Sequence, residues 1–332
     1  MPVEQVPRSR IIGTGAYAPE RVLTNLDLEK LVDTSDQWIS ERTGIRERRI
    51  AREGESTSDM AVVAARRALE MAGLSASDLD MIVVGTITGD MPMPATAAFV
   101  QSKLGITDVP AFDVSAACAG FLYALSIGDQ FIRSGMHRHV LVIGAELLSR
   151  VLDWQDRTTC VLFGDGAGAA VLGPATGDGS GVLSTRLYTD STLVESLCIP
   201  AGGSKERITP QSLENKRDKV FMQGADIFKV AVKNLTRASA TALSDAGLRS
   251  SDVRWVVPHQ ANLRILAQVA QRLDISLDRF VLNIDRYGNT SSASIPLALD
   301  EAVRDSRIKP GDTVLMCALG GGISWASALV RL

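Results

Sequence analysis

The sequence predicts a duplicated α/β fold, on three observations. The first is an internal repeat. Residues 69–86, LEMAGLSASDLDMIVVGT, and residues 243–260, LSDAGLRSSDVRWVVPHQ, match at Leu69 and Leu243, Gly73 and Gly247, Ser77 and Ser251, and Asp78 and Asp252. The same spacing of 174 residues sets Ala124-Leu125 on Ala298-Leu299 and VLVIG at 140–144 on VLMCA at 314–318. The second is periodicity. Helical segments at 58–72, 95–104 and 118–134 are followed by a matching series at 225–246, 260–273 and 292–305, with short Val/Ile-rich strands between them. Strands apolar on both faces suit sheets covered by helices. The third is size: the period is too long for a solenoid, and 332 residues accommodate two medium units. The expected halves are 1–178 and 179–332, divided within GPATGDGSG at 173–181.

Composition narrows the function. Hydrophobic residues make up 45% and charged residues 22%, and 35 Lys and Arg against 38 Asp and Glu leave a net charge of −3. That balance gives no footprint for nucleic acid. No apolar run reaches transmembrane length, and MPVEQVPRSRIIGTG lacks the apolar core of a signal peptide. The four cysteines (Cys118, Cys160, Cys198, Cys317) lie far apart without a CxxC pair, which argues against a metal site or a disulfide framework. A cytoplasmic protein without a membrane contact is expected. His137, His139 and His259 are the only histidines. The first two sit in the polar turn GMHRH and read as surface residues.

Four segments can carry chemistry. In PAFDVSAACAGFLYALSIGDQFIRSG an apolar strand ends in small residues and a helix begins near Cys118. Unpaired backbone N–H groups and the positive helix end there favour thiolate over thiol. On this alone Cys118 reads equally well as an inert core cysteine. His259 ends WVVPH, directly before QANLRIL, at the kind of strand-to-helix junction where α/β proteins hold ligands; it also reads as a core histidine. Asn289 precedes TSSAS at another such junction, where it also suits a turn or a cap. The repeat sets Ser292 opposite Cys118, so Cys118 and Asn289 lie at equivalent junctions. The glycines at 320–322 expose backbone N–H groups between two strands, enough for an oxyanion or simply for a tight hairpin.

With these segments the chain resembles the β-ketoacyl-[acyl-carrier-protein] synthase III family over essentially its whole length. ACAGF, HQANLR, GNTSSAS and GGGISWASALVRL follow the family in order and spacing, as do DQWISERTGIRERRIA and FGDGAGAAVL. The resemblance implies the thiolase fold, with five layers in the order αβαβα. It implies a catalytic triad of Cys118, His259 and Asn289, with an oxyanion hole from the amides of Cys118 and Gly321. Coenzyme A would meet Thr34, Trp38, Arg42, Arg157 and Asn262, with Trp38 and Arg157 enclosing the adenine. Lys229, Gln260, Arg264 and Arg272 would face an acidic acyl carrier protein. Met93 stands where many members have a phenylalanine that closes the partner subunit's acyl pocket, and Leu319 is expected to line the pocket.

The implied reaction is decarboxylative condensation of an acyl-coenzyme A primer with malonyl-carrier protein, by a homodimer that needs no metal or other cofactor; the coenzyme A thioester is a substrate. Rival readings are weaker. A thiolase needs a second catalytic cysteine, and the repeat aligns Cys317 with Ile143, a core strand position. Elongating synthases use two histidines, and plant-type polyketide synthases are typically longer. A relative specialised for secondary metabolism is closer. A noncatalytic partner subunit would typically have lost the nucleophile.

Overall fold

The computed structural model describes residues 8–332. Residues 1–7, the first part of the MPVEQVPRSRIIGTG segment read above for a signal peptide's apolar core, lie outside the described residues.

The repeat becomes a pair of sheets. The first has five strands in the order Ser9–Tyr17, Gly166–Pro174, Val140–Glu146, Met81–Gly85, Ala111–Val114. The second runs Gly181–Thr189, Ser324–Arg331, Thr313–Gly320, Trp255–Pro258. The two share their pairing pattern. In each order the first two junctions are antiparallel, and Met81–Gly85 lies parallel to Val140–Glu146 as Trp255–Pro258 does to Thr313–Gly320. The first sheet's last strand is echoed in the second only by a bridge from Val256 to Phe280. The chain passes from one sheet to the other between Pro174 and Gly181.

Helices complete the layers. Thr57–Ala72 and Thr96–Leu104 cover the outer face of the first sheet, and Gly224–Asp245, with Leu263–Leu273 beside it, covers that of the second. Gly120–Arg133 and Ser294–Arg304 lie between the sheets, giving the order αβαβα. One apolar cluster runs through the central helix layer and the inner faces of both sheets, and a separate cluster fills the space under the outer helices of each sheet. Burial of these aliphatic side chains is the main stabilising term, at about 25 cal/mol per Å² of apolar surface.

Local signals place the boundaries where the sequence puts them, within a few residues. Ser56 and Asp59 form a reciprocal cap at the start of Thr57–Ala72, and Gly73 ends that helix at φ +67°. Gly247, its counterpart in the repeat, has φ +65°. The next turns match too: Asp78 accepts from the Ser75 amide and Asp252 from the Arg249 amide, each at 2.8 Å. Within the RTGIRERRI segment, Arg48 has a structural part. Arg48 is fully buried and donates to the carbonyls of Leu23 (3.1 Å) and Val161 (2.7 Å) and to Asn25 Oδ1 (2.9 Å).

Candidate active site

The Ala111–Val114 strand leads into a tight turn, Ala117–Ala119, and the helix follows from Gly120. Cys118 therefore sits just ahead of the helix, on a single 3₁₀ turn. Ala117 has φ +44°, a left-handed conformation costly for a residue with a Cβ. Ser291, which the repeat sets on Ala117, has φ +49°. The two turns, 117–119 and 291–293, pack against each other at the centre of the molecule. Turn 117–119 also packs on the Thr313–Gly320 strand, and the approach is close: a Cβ on Gly320 would lie 2.5 Å from the Cys118 nitrogen.

His259 follows the Trp255–Pro258 strand, and its amide donates to the Cys317 carbonyl at 2.8 Å. It is buried, and its Nδ1 finds no partner among the described residues. Asn289 is held by its backbone to the Phe163 segment, donating to Leu162 O (2.9 Å) and accepting from Gly164 N (3.0 Å). Its Oδ1 accepts from Ser291 N at 2.8 Å, so the amide Nδ2 is the group left to donate. His259 thus stands at a strand end beside the Thr313–Gly320 strand, and Asn289 just ahead of turn 291–293, both of which pack on turn 117–119.

Cys118 lines a cavity of about 410 Å³ with Gly321, Ile87, Leu148, Phe163, Leu197 and Val220 among its walls. The lining is mainly apolar. His259 and Asn289 are not among its lining residues. Sequence reading missed most of these walls, because they come from six separate segments joined only by the fold.

Burial sets the electrostatics. The Cys118 thiol, 8% exposed, is pushed up to about 12 by desolvation; a hydrogen bond from Ser291 opposes this and the charge of Glu146 adds to it. The expectation of a resting thiolate is therefore corrected: desolvation outweighs the turn's unpaired N–H groups. His259 is pushed down to about 3, also by burial, so its ring is neutral. The resting pair is thiol and imidazole.

The coenzyme A candidates gather at one surface. Two guanidinium groups lie over the Trp38 ring, Arg42 at 4.9 Å and Arg157 at 5.5 Å from its centroid. Arg157 also donates to the Asp33 carbonyl at 2.9 Å, beside Thr34. Asn262 caps the Leu263–Leu273 helix through Arg264 N (2.9 Å) and donates to the Arg42 carbonyl (3.0 Å), joining this cluster to the second half. Lys229, Arg264 and Arg272 are exposed, and Arg264 lies over Phe228 at 5.8 Å.

Two expectations are corrected. Gln260 cannot face a carrier protein: it is 1% exposed, its amide donates to Pro258 O and Val281 O, and its oxygen accepts from Asn283 N. Leu319 does not line the cavity. Alternation along its strand turns it, with Leu315 and Cys317, toward the outer helices. Met93 is 82% exposed and lines no part of this chain's cavity. His137 stacks on Phe131, and His139 Nδ1 contacts Asp78 O at 3.0 Å; both are half-buried rather than free surface residues.

Comparison with known proteins shows the family and the fold. The family described as 3-oxoacyl-[acyl-carrier-protein] synthase III matches residues 112–191, and its C-terminal counterpart matches residues 243–332. A β-ketoacyl-[acyl-carrier-protein] synthase III of Caldanaerobacter subterraneus is 50% identical over 321 residues, covering 97% of both chains. One from Thiobacillus denitrificans is 52% identical, covering 97% of this chain and 99% of the relative. The crystal structure of 3-oxoacyl-[acyl-carrier-protein] synthase III from Aquifex aeolicus superimposes with a TM-score of 0.90 at 48% identity, covering 98% of this chain and all of the other. With that identity along nearly its full length, the chain belongs to the β-ketoacyl-[acyl-carrier-protein] synthase III family of thiolase-fold acyltransferases.

Proposed function

We propose that the protein starts type II fatty-acid synthesis by condensing an acyl-coenzyme A primer with malonyl-acyl-carrier protein. The observation that carries this reading is Cys118 on a strained turn in an apolar cavity, with Gly321 beside it. Cys118 attacks the primer thioester, and the amides of Cys118 and Gly321 receive the developing oxyanion. The neutral His259 ring takes the thiol proton, which leaves finally on the coenzyme A sulfur. Malonyl-carrier protein then loses carbon dioxide. His259 N–H and Asn289 Nδ2 donate to the enolate oxygen, and neutral donors suit this role because they need no counter-charge. The enolate carbon attacks the acyl group, and Cys118 is expelled and reprotonated.

Trp38, Arg157, Arg42, Thr34 and Asn262 are read as the coenzyme A mouth, and Lys229, Arg264 and Arg272 as the carrier face. The halves are read as 1–178 and 179–332. A cytoplasmic homodimer is proposed, in which Met93 reaches the partner's acyl cavity. Exposed Met91 and Met93 on one loop support this. Among the described residues no helix is long and apolar enough to cross a membrane, and no group of three or more His, Cys, Asp or Glu could hold a metal ion.

Intact-protein mass spectrometry after incubation with acetyl-coenzyme A tests the central claim. One acyl adduct is expected in the native protein and none in Cys118→Ala. An adduct that persists in Cys118→Ala would overturn the assignment.

A further inference from the structure

Arg48 is the largest fully buried side chain among the described residues, and the chemistry above gives it no part. Its three acceptors are neutral: the carbonyls of Leu23 and Val161, and Asn25 Oδ1. Its Nε finds no partner among the described residues, and burial pushes the guanidinium down to about 10. A buried cation without a counter-charge is costly, and an apolar side chain of similar volume would fill the space at less cost. What a guanidinium does that an apolar group cannot is join several segments in a fixed geometry.

Two of those segments lead to the surface where Trp38 and Arg157 meet. On one side, Arg48 Nη1 donates to Asn25 Oδ1 at 2.9 Å. Asn25 is buried too and extends the link: its Nδ2 donates to Ile45 O and to Asp36 Oδ1, each at 2.8 Å. Asp36 opens the Asp36–Thr43 helix, which carries Trp38 and Arg42. On the other side, Arg48 Nη2 donates to Val161 O at 2.7 Å. Val161 shares a short segment with Arg157, where the Cys160 amide closes a turn on Asp156 O at 3.0 Å. The chain Val161–Arg48–Asn25–Asp36 thus joins the two segments whose ring and guanidinium stand 5.5 Å apart. Close packing holds its middle: a Cβ on Gly164 would lie 3.0 Å from Arg48 Cβ, and one on Gly288 3.3 Å.

We infer that Arg48 is a positioning residue for the nucleotide end of coenzyme A, setting the Trp38 helix against the Arg157 segment through Asn25. The inference rests on Trp38 and Arg157 forming the coenzyme A mouth. The measurement compares two primers at saturating malonyl-carrier protein: acetyl-coenzyme A, and acetyl-pantetheine, a thioester without the nucleotide. In Arg48→Met, KM for acetyl-coenzyme A is expected to rise about tenfold with kcat little changed. With acetyl-pantetheine, kcat/KM should change by less than about twofold, because that primer has no group to place on Trp38. In a Trp38→Ala background the same replacement should add less than about a threefold rise, since the ring it positions is gone. Arg48→Lys keeps the charge but not the fork, and should raise KM for acetyl-coenzyme A by about threefold or more. It carries the test if the methionine variant does not fold. An unchanged KM in either folded variant, an equal loss with both primers, or the full rise in the Trp38→Ala background would each overturn the inference. If Trp38→Ala itself leaves KM unchanged, the mouth reading falls and takes the inference with it. A raised KM in Trp38→Ala beside a native one in folded Arg48→Met removes the inference alone.

Discussion

Cys118 and His259 are moved in opposite directions by the same cause, and both end up uncharged. This has consequences for stability as well as chemistry. His259 is pushed down to about 3 from 6.5, so the unfolded chain takes up a proton that the native ring refuses. Stability is therefore full above about pH 6.5 and falls as pH drops toward 3. Glu146 works the other way over part of that range. Burial raises it from 4.5 to about 7, so its contribution is present below 4.5 and lost as pH rises through 7. On the alkaline side, burial raises Cys118 and Cys317 from 9.0 to about 12, and stability falls above pH 9 as the unfolded thiols ionise first. Melting temperatures across pH should show both slopes, and His259→Gln should flatten the acid one. The sequence made Cys118, His259 and Asn289 legible as junction residues. It did not make Ser291 and Glu146 legible, because the hydrogen bond between them spans 145 residues and exists only once the turns have packed.

At the scale of elements, the site depends on how closely backbones approach. The Thr313–Gly320 strand can press on turn 117–119 only because Gly320 has no side chain. Gly320→Ala should push the turn away and lower kcat/KM by about 100-fold or more, since small misplacements of reacting groups are costly. Near-native melting would separate that effect from unfolding. The Asp36–Thr43 helix plays a different part by presenting Trp38 to Arg42 and Arg157. Trp38→Ala should raise KM for the primer about tenfold with little change in kcat, the pattern of lost uniform binding. The DQWISERTGIRERRI run thus holds two tasks, Trp38 and Arg42 at the surface and Arg48 in the core. Motif reading cannot separate these, because burial depends on the strands packed above. The same limit misassigned Gln260 and Leu319: their neighbours in sequence face the site, while their own side chains turn into the protein.

At the scale of the whole molecule, the 174-residue spacing carried the duplication from sequence to structure, down to matched glycines and capped turns. Layer order was not legible from periodicity, since nothing in an amphipathic pattern tells which helices are covered on both sides. Assembly gives a further prediction. If Met93 enters a second copy's cavity, Met93→Phe should suppress isobutyryl- and octanoyl-coenzyme A more than acetyl-coenzyme A, measured as relative rates. Strict acetyl preference in the unaltered protein would remove Met93 as a determinant of primer range. The paired left-handed turns at Ala117 and Ser291 also fix a stoichiometry. The fold presents two elbows per chain, yet the second carries Ser292, buried and pressed against Gly120 and Gly144. No thioester can reach it, so acyl loading should saturate at one group per chain however high the primer concentration.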